Sequence, residues 1–346
     1  MEPVTHFMTG AVLSRAGFNR KAAYATLAMT LAAEAPDLDV LWSLKGPVAG
    51  FEHHRGWTHS FLGIPFEALV VVGFIWLIHR WRLRRNPSLK LAAPLSWLRL
   101  YLLSVVALLS HILLDWTNNY GVRPFAPFNP RWYAGSFVFI FEPILFLLLL
   151  AALVAPALFG LISSEVGTRR PAFRGRAWAI AALSGIVALW GLRYVERLKA
   201  IDLARSAEDA PSTIQRATAD PYPFNPFRWQ TVVDLPHFYR VSTVNTLRGE
   251  VSSSQQTDIY YKPPSTLAVL EAKRSWLGHV YLDWSQYPLV NEAGTDRSGL
   301  TAVTFRDLRF LYDDGLLSGH TPLMGVAYIN SNRRIDHLEM DGHDQP

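Results

Sequence analysis

Long apolar runs constrain the fold of this chain more than any other feature. A helix needs about 20 mostly apolar residues to cross a bilayer, and four stretches approach or exceed that length, at residues 61–79, 99–117, 137–162 and 177–195. Only 18% of the 346 residues are charged and 50% are hydrophobic, whereas a soluble domain averages about 25% charged residues. We therefore predict an α-helical polytopic membrane bundle.

The first forty residues are apolar in a different way. Two short helical patterns, HFMTGAVLSRAGF and KAAYATLAMTLAAEA, are interrupted at Gly17 and Asn19. Neither pattern reaches the length of a membrane span. We interpret them as a helical hairpin that either dips into the membrane or packs on the bundle.

The pattern changes after about residue 200. Apolar residues recur with a period near two in four segments that are separated by turn-forming residues, namely 231–244, 277–290, 300–312 and 323–330. This alternation predicts a C-terminal β-rich soluble domain at 229–346, which a linker at 201–228 joins to a transmembrane helical domain at 1–200.

Clusters of Lys and Arg predict the orientation. The basic loops at 80–99 and 163–176 should be cytoplasmic, because cytoplasmic loops carry an excess of positive residues. Alternation then places the span ends near residues 60, 117 and 137 on the other face, together with the C-terminal domain. We predict a multi-pass inner-membrane protein, and we assign its net charge of +5 to these flanks and not to nucleic-acid binding.

Polar residues that are scattered in the sequence gather at one membrane face under this orientation. The non-cytoplasmic ends of the helices carry His6, Glu34, Asp37, Asp39, His53, His54, His59, His111 and Asp115. Ionisable groups at membrane depth are costly and are functional by default. Because the chain contains no cysteine, any metal here must be held by His, Asp or Glu.

Two acid-containing motifs favour metal ligation. His111 and Asp115 are spaced i, i+4, so they share one helical face and could grip one ion or two. Asp37 and Asp39 follow Pro36, which ends a helix, and in a turning loop both carboxylates could bend toward a cation. A helix-end hydrogen bond for the first pair and a helix N-cap for either aspartate are the structural alternatives.

The stretch FEHHRGWTHSFLG, residues 51–63, precedes the first apolar run. Neutral imidazoles at His53, His54 and His59 suit zinc, and we interpret one of the three as structural; family resemblance, given below, favours His54 for that role. Arg55 is a candidate for binding an anionic substrate group, since a guanidinium forms bidentate contacts to phosphate. Thr58 and Ser60 could hydrogen-bond the ligands. By contrast, we interpret four residues of the C-terminal domain as surface or hydrogen-bonded groups, namely His237, His279, Asp283 and Asp307.

The motifs THxxxG, PDLD, HRGWTHS and SHxxLDxxxxYG occur in this order over roughly residues 1–145. In this order they resemble the YdjM-like family of membrane-bound metal-dependent hydrolases. The resemblance implies a site built from His6, Asp37, Asp39, His53 or His54, Arg55, Thr58, His59, Ser60, His111 and Asp115. The ligand order is more distantly similar to zinc-dependent phospholipase C and related zinc nucleases, which are all-α enzymes with multinuclear zinc sites. This chain lacks their second histidine-plus-acid helix motif and offers only Glu142 nearby.

These features lead us to expect a membrane-embedded hydrolase. One to three divalent ions, zinc above others because the ligand set is rich in histidine, would be held by His6, Asp37, Asp39, His53, His59, His111 and Asp115. We expect Asp39 or Glu34 as general base and Arg55 at the substrate. The expected partners are membrane lipids and a lipid-like or phosphoester substrate, with an amide or ester left open. The alternatives are a metal-ion transporter or sensor that uses the same cluster, and a scaffold whose polar residues tie helix ends together.

Overall fold

The computed structural model of the chain describes residues 1–165, 173–252, 259–297, 299–312 and 322–346, with side chains to residue 159 in the first range. It contains two compact units, Met1–Leu38 with Arg55–Leu192, and Asp39–His54 with Arg193–Pro346. Arg169 and Arg170, which contributed to the predicted orientation, lie outside the described residues.

The first unit is helical. Its elements are α1 (Pro3–Arg15), α2 (Ala25–Glu34), α4 (Gly63–Arg85), α5 (Trp97–Thr117), α6 (Pro143–Glu165) and the first half of α7 (Arg176–Ser206). A short 3-10 turn, Trp57–His59, precedes α4, and a longer 3-10 segment, Ala35–Lys45, follows α2 and continues into the second unit. The Glu2 side chain caps α1 by accepting from the Thr5 amide.

The helical hairpin predicted at the N-terminus is present as α1 and α2. Gly17, with φ 145°, lies in the turn between them, in a region that L side chains rarely adopt. The two helices approach closely at Gly10, where an added Cβ would lie 2.4 Å from the Met29 carbonyl oxygen and 2.8 Å from Thr30 Cα. Glycine is therefore required at this crossing.

Small residues also define the core of this unit. One face of α2 carries Ala25, Ala28 and Ala32, all buried, and packs against Leu100 and Ala107 of α5. Alanine side chains allow helix backbones to approach closely, which is the usual basis of helix packing inside membranes. This packing places the C-terminal end of α2 beside the second half of α5.

Three described helices are long and apolar enough to cross a membrane, namely Gly63–Arg85, Trp97–Thr117 and Arg176–Ser206. They correspond to the spans predicted at 61–79, 99–117 and 177–195. The helix of the span predicted at 137–162 begins at Pro143 and continues to Glu165. Its side chains are described only to Phe159, so this span stays a prediction. The described residues thus support three of the four predicted spans.

The second unit contains antiparallel sheets, as the alternating pattern predicts. One sheet has the order β1-β2-β3-β4 with β5 also on β3, and the other has the order β10-β9-β8-β7-β6. The strands of the first sheet are β1 (Arg216–Pro221), β2 (Arg228–Asp234), β3 (Phe238–Asn245), β4 (Glu250–Ser252) and β5 (Ile259–Tyr261). Those of the second are β6 (Pro288–Thr295), β7 (Thr301–Asp307), β8 (Gly325–Ile329), β9 (Ile335–Met340) and β10 (His343–Asp344).

Apolar and polar contacts join the two sheets. Val232 and Tyr239 of the first sheet pack with Leu289 of the second sheet and with Leu308, which follows β7. The Gln230 side-chain amide donates to the Leu308 carbonyl over 2.9 Å, so the interface also satisfies a buried polar group. The strand β1 lies inside the range 201–228, which the sequence pattern suggests is a linker.

One strand prediction in this unit is wrong. Residues 277–290 show alternation, but their first half is α9 (Trp276–Trp284), which follows α8 (Leu267–Arg274). The Ser275 hydroxyl accepts from the Gly278 amide and caps α9, and its buried residues Leu277, Tyr281 and Trp284 have helical spacing. N-capping and a helical apolar face outweigh the local alternation. A further short helix, α3 (Pro47–His53), packs on α9.

Candidate metal centre

Three segments of the first unit bring four side chains together. Asp37 lies in the 3-10 segment that follows α2, and His59 ends the 3-10 turn before α4. His111 and Asp115 lie one turn apart near the end of α5. Each offers one ligand atom within 4.8 Å of the other three, and all except Asp37 are fully buried. We call these four residues the His/Asp cluster.

The dimensions of the His/Asp cluster fit one small cation. The Nε2 atoms of His59 and His111 are 3.0 Å apart, and Asp115 Oδ2 lies 3.3 Å and 3.4 Å from them. Asp37 Oδ1 lies 3.4 Å from His59 Nε2 and 3.6 Å from His111 Nε2. A tetrahedral zinc site with bonds of about 2.0–2.2 Å separates its ligand atoms by about 3.3–3.6 Å. The distances to the two carboxylates fall in this range, and the His–His distance is slightly shorter.

Hydrogen bonds outside the cluster orient both imidazoles. His111 Nδ1 lies 2.7 Å from the Ala33 carbonyl oxygen. Because a carbonyl only accepts, Nδ1 carries the proton and Nε2 presents its lone pair to the cluster. His59 Nδ1 lies 3.1 Å from Thr58 Oγ1, which turns its Nε2 inward as well. Such outer partners fix the tautomer and the ring orientation of metal-ligating histidines.

A buried arginine orients Asp115. Arg55 is only 3% exposed, and its Nη2 donates to Asp115 Oδ1 over 2.8 Å. Its Nη1 donates to Asn118 Oδ1 over 3.1 Å and to the Gly121 carbonyl over 3.0 Å, and the guanidinium stacks 4.7 Å from the Tyr120 ring centre. Arg55 therefore holds Oδ1 of Asp115, while Oδ2 faces the two histidines.

His6 lies against the His/Asp cluster from α1. Its Nε2 is 3.3 Å from Asp115 Oδ1, and its ring stacks on His111 at 3.8 Å. The amino group of Met1 contacts Asp115 and lies 2.9 Å from His6 Nε2. Burial, and then the neighbouring His111, lowers the pKa of His6 well below its usual value. His6 is thus a neutral imidazole, which is the form that binds metals.

The two acidic residues at the end of α2 differ in their protonation. Burial, and then the charge of Asp37, raises the pKa of Glu34 to about 7. Burial alone would raise the pKa of Asp37 too, but the neighbouring side chains of His59 and then His111 outweigh it and lower the pKa. Asp37 is therefore an ionised candidate ligand, whereas Glu34 titrates near neutral pH.

Two buried oxygen atoms of the cluster lack a hydrogen-bond partner within the described ranges, namely Asp37 Oδ2 and Asp115 Oδ2. A buried carboxylate oxygen without a donor is costly, and a cation would compensate both. The donor set has two imidazole nitrogens and two carboxylates, which suits zinc better than magnesium or calcium. The residues present therefore fit a divalent metal.

Asp39, His53 and His54 are not among the four residues of the cluster and belong to the second unit. There, His54 Nδ1 lies 2.9 Å from Asp39 Oδ1. His53 stacks on Trp42 at 4.0 Å, and its Nδ1 lies 3.1 Å from the Ala49 carbonyl oxygen. The roles suggested for Asp39 and His53 by family resemblance stay predictions.

A second group of possible ligands lies on the C-terminal hairpin, formed by His337, Glu339 and Asp344. These side chains are partly exposed, and the Tyr328 hydroxyl donates to Glu339 over 3.2 Å. Asp336 Oδ2 lies 2.9 Å from His337 Nδ1. A solvated polar group on a hairpin accounts for this arrangement.

Sequence reasoning missed two supporting groups of the centre. The Ala33 carbonyl oxygen, which orients His111, leaves no signal in a sequence because every residue has a carbonyl. Asn118 is different, since it follows the HxxxD helix in the run DWTNNYG. Its Oδ1 accepts from Arg55 and from the Tyr120 amide, as expected for an asparagine that stabilises a turn after a helix.

A family model described as YdjM inner membrane protein matches residues 1–200, which is more than half of the 346-residue chain. The chain belongs to the YdjM inner membrane protein family. The range that matches YdjM contains all four residues of the His/Asp cluster and the three candidate spans up to residue 200. Family membership and these spans together make it a membrane protein.

This YdjM family member is also similar to YfhP, an uncharacterized protein of Bacillus subtilis (strain 168). The two are 27% identical over 161 residues, which is 44% of this chain and 45% of YfhP. The alignment thus spans less than half of that relative. No solved structure matches the chain.

Proposed function

We propose that this YdjM family member is a metal-dependent hydrolase that acts on a phosphoester of lipid type at the edge of the membrane. The observation that carries the proposal is the buried His/Asp cluster, in which two imidazoles and two carboxylates face one point. Zinc is the favoured metal because histidine provides half of the ligands. The four residues of the His/Asp cluster could hold one ion, and His6 lies beside Asp115.

The chemistry follows from the donors and from Glu34. A divalent cation held by Asp37, His59, His111 and Asp115 supplies Lewis-acid chemistry, which lowers the pKa of water and polarises a phosphoryl oxygen. Glu34, which ends α2 three residues before Asp37, is the favoured proton acceptor. Its pKa of about 7 is that of the metal-free protein. Asp39, the other predicted base, pairs with His54.

Arg55 acts on the centre through Asp115 in this proposal. Its two nitrogens hold Asp115 and the turn after α5, which preorganises the carboxylate for the metal. The sequence-based role of Arg55, a direct contact to a substrate anion, stays a prediction. Positioning of Asp115 is the role that its burial supports.

A lipid substrate is supported by the surroundings of the centre. His59 lies just before α4, and His111 and Asp115 lie in the last turns of α5, so the centre is at the ends of two candidate spans. The segments that carry Asp37 and His59 expose apolar side chains, including Leu38 at 63% and Trp57 at 52%. Exposed apolar patches of this kind mark interaction with a membrane or a partner.

The side of the membrane follows from basic residues. The last turn of α4 carries Arg82, Arg84 and Arg85, at the opposite end from His59. Because positive flanks stay in the cytoplasm, we propose that the centre opens at the non-cytoplasmic surface of the inner membrane.

Metal-dependent turnover tests the proposal. The full chain, purified in detergent and loaded with zinc, should hydrolyse long-chain phospholipids or phosphatidate in mixed micelles, and chelation should abolish the release of product. Asp115→Asn, at the centre, should have no activity, whereas Asp209→Asn, at an exposed position, should match wild type. A protein that holds zinc stoichiometrically and cleaves no phosphoester, ester or amide in such a screen is not the hydrolase we propose.

A transporter or sensor with the same ligands predicts a different result. Transporters usually bind their ions near the bilayer midplane on broken helices, whereas this cluster lies at the ends of α4 and α5. Zinc flux into proteoliposomes that contain wild-type protein, lost in Asp115→Asn, would favour that class instead.

A further inference from the structure

An apolar groove of about 450 Å³ lies at the end of α5. Leu109, Leu113 and Trp116 of α5 form one wall, and Phe61 and Phe125 form part of the other. Its lining contains no carboxylate, amine, guanidinium or imidazole in the part of the chain that the structure describes. The volume lies within the range of ligand sites, about 300–1,000 Å³.

The groove continues an apolar stripe along α5. Leu98, Leu102 and Val106 lie on the same helical face as Leu109 and Leu113, at a spacing of three or four residues. All five side chains are exposed, between 41% and 68%. On a membrane span, an exposed apolar stripe faces lipid. The groove is therefore open to the hydrocarbon of the bilayer along α5.

The groove lies close to the metal centre, across α5. Its α5 wall comes from the same two helical turns that carry His111 and Asp115, on nearly the opposite side of the helix. Phe61 follows His59 by two residues, and its amide donates to the Pro124 carbonyl over 2.8 Å. This bond ties the His59 segment to the loop that forms the other wall. A ligand in the groove thus lies about one helix diameter, about 10–12 Å, from the centre.

We propose that this groove binds one acyl chain of the phosphoester lipid whose head group enters the metal centre. The proposal rests on the proposed function and specifies its substrate as a long-chain lipid. A lining that is apolar apart from the Tyr133 hydroxyl suits a hydrocarbon chain, which offers no polar groups. An extended peptide segment would bring backbone N–H and C=O groups that find no partner at membrane depth.

Photocrosslinking locates the acyl chain independently of turnover. The zinc-loaded full chain in nanodiscs is irradiated with a phosphatidate analogue that carries a diazirine near the end of one acyl chain, and crosslinked peptides are mapped by mass spectrometry. We expect adducts concentrated on residues 109–116 and 122–133. Leu113→Trp, which fills the groove, should reduce them at least fivefold, and Leu102→Trp, on the same stripe outside the groove, should not.

Several outcomes overturn the inference. Adducts spread evenly over the lipid-facing sides of α4, α5 and α7 would show that the groove binds bulk membrane lipid no better than the rest of the surface. This comparison requires only the wild-type protein. Equal labelling by a diazirine fatty acid without a phosphate would assign the groove to a free fatty acid.

Kinetics then link the groove to the substrate. The ratio of kcat/KM for a long-chain phosphatidate to that for a short, water-soluble phosphoester should fall at least tenfold in Leu113→Trp and stay unchanged in Leu102→Trp. An unchanged ratio in Leu113→Trp would contradict binding of the acyl chain in the groove, without contradicting the proposed hydrolase activity. If no substrate is cleaved although zinc is bound, the proposed hydrolase fails, and the crosslinking map still decides whether the groove holds an acyl chain.

Discussion

Arg55 Nη2 donates to Asp115 Oδ1 over 2.8 Å, so a buried guanidinium holds one oxygen of this carboxylate while the other faces His59 and His111. The same residue therefore neutralises Asp115 and sets its orientation. A carboxylate at the end of a membrane span is tolerated because this partner is present. The pair connects the loop before α4 to the end of α5 and gives the first prediction.

Arg55→Lys should keep the metal and impair turnover. A lysine has a point charge and lacks the planar fork that bonds Asp115, Asn118 and the Gly121 carbonyl together. Loss of these contacts should weaken zinc binding by about tenfold, so that the metal is kept at saturating zinc, and should lower kcat/KM by the equivalent of about 1–3 kcal/mol. Arg15→Lys, whose side chain donates to the Leu153 carbonyl outside the centre, is the matched control. Unchanged kinetics in Arg55→Lys would leave Arg55 only a structural role.

His111→Gln and Asp115→Asn should each reduce zinc affinity by at least about tenfold. Changing a residue that only hydrogen-bonds a metal ligand already costs about that much, and these variants change the ligands themselves. Each variant removes one metal ligand from a cluster of four, and few other side chains nearby could replace it. Metal analysis of the purified protein measures the loss, and thermal unfolding in detergent checks folding. His279→Gln, at an exposed position on α9, should retain full zinc. Full zinc occupancy in both variants would contradict a metal centre at the His/Asp cluster.

Gly10→Ala should destabilise the helical unit. A Cβ there would lie 2.4 Å from the Met29 carbonyl oxygen, so α1 and α2 must separate, at a cost of about 1–3 kcal/mol. Because α1 carries His6, zinc affinity should fall as well. Gly73→Ala in α4, where an added Cβ meets nothing within 4 Å, should be neutral or slightly stabilising. Thermal unfolding of both variants gives the comparison, and equal melting temperatures would contradict the close helix crossing.

Asp307→Asn should loosen the second sheet of the C-terminal unit in a pH-dependent way. Asp307 and Arg309 are both buried, with Nη2 2.9 Å from Oδ2. Burial alone would raise the pKa of Asp307, but the charge of Arg309 and the hydrogen bonds from Arg309 and Ser285 outweigh it and lower the pKa. Breaking a buried pair by removing one partner costs about 3–5 kcal/mol.

The sign of the pH dependence follows from this lowered pKa. The stabilisation is present above the ordinary aspartate pKa of about 3.9 and is lost as the pH falls through the lower, folded-state pKa. Hydrogen exchange of amides in β6, β7 and β8, corrected for intrinsic rates, should show a constant difference between wild type and Asp307→Asn from pH 5 to pH 8, and a shrinking difference in stronger acid. Asp209→Asn, an exposed control, should show no difference at any pH.

Cysteine labelling should establish the orientation, since the chain has no cysteine of its own. Lys90→Cys lies in the exposed basic loop after α4, and Leu247→Cys lies at 71% exposure in the hairpin between β3 and β4. An impermeant maleimide added to intact cells, with the outer membrane permeabilised where one is present, should label position 247 and not position 90. The reverse pattern would place the centre on the cytoplasmic side.

Asp37 and Asp39 show what a local pattern leaves open. Both are predicted to bend toward a cation; Asp37 is one of the four residues of the His/Asp cluster, and Asp39 pairs with His54. The two lie in a 3-10 segment, in which side chains three apart share a face and side chains two apart do not. The choice of 3-10 geometry is made by packing of the whole segment, which a local pattern does not reveal.

What the sequence determined by itself is local and periodic. Its apolar runs specify α4, α5 and α7, the i, i+4 spacing puts His111 and Asp115 on one face, and the order of motifs identifies the family. Only the tertiary structure decided which residues meet across the chain. His59, His111 and Asp37 converge because α2 packs on α5 through alanines and because the Ala33 carbonyl and Arg55 fix the inner side chains. Periodicity depends on neighbours within a few residues, whereas a metal centre depends on separate segments that packing brings together.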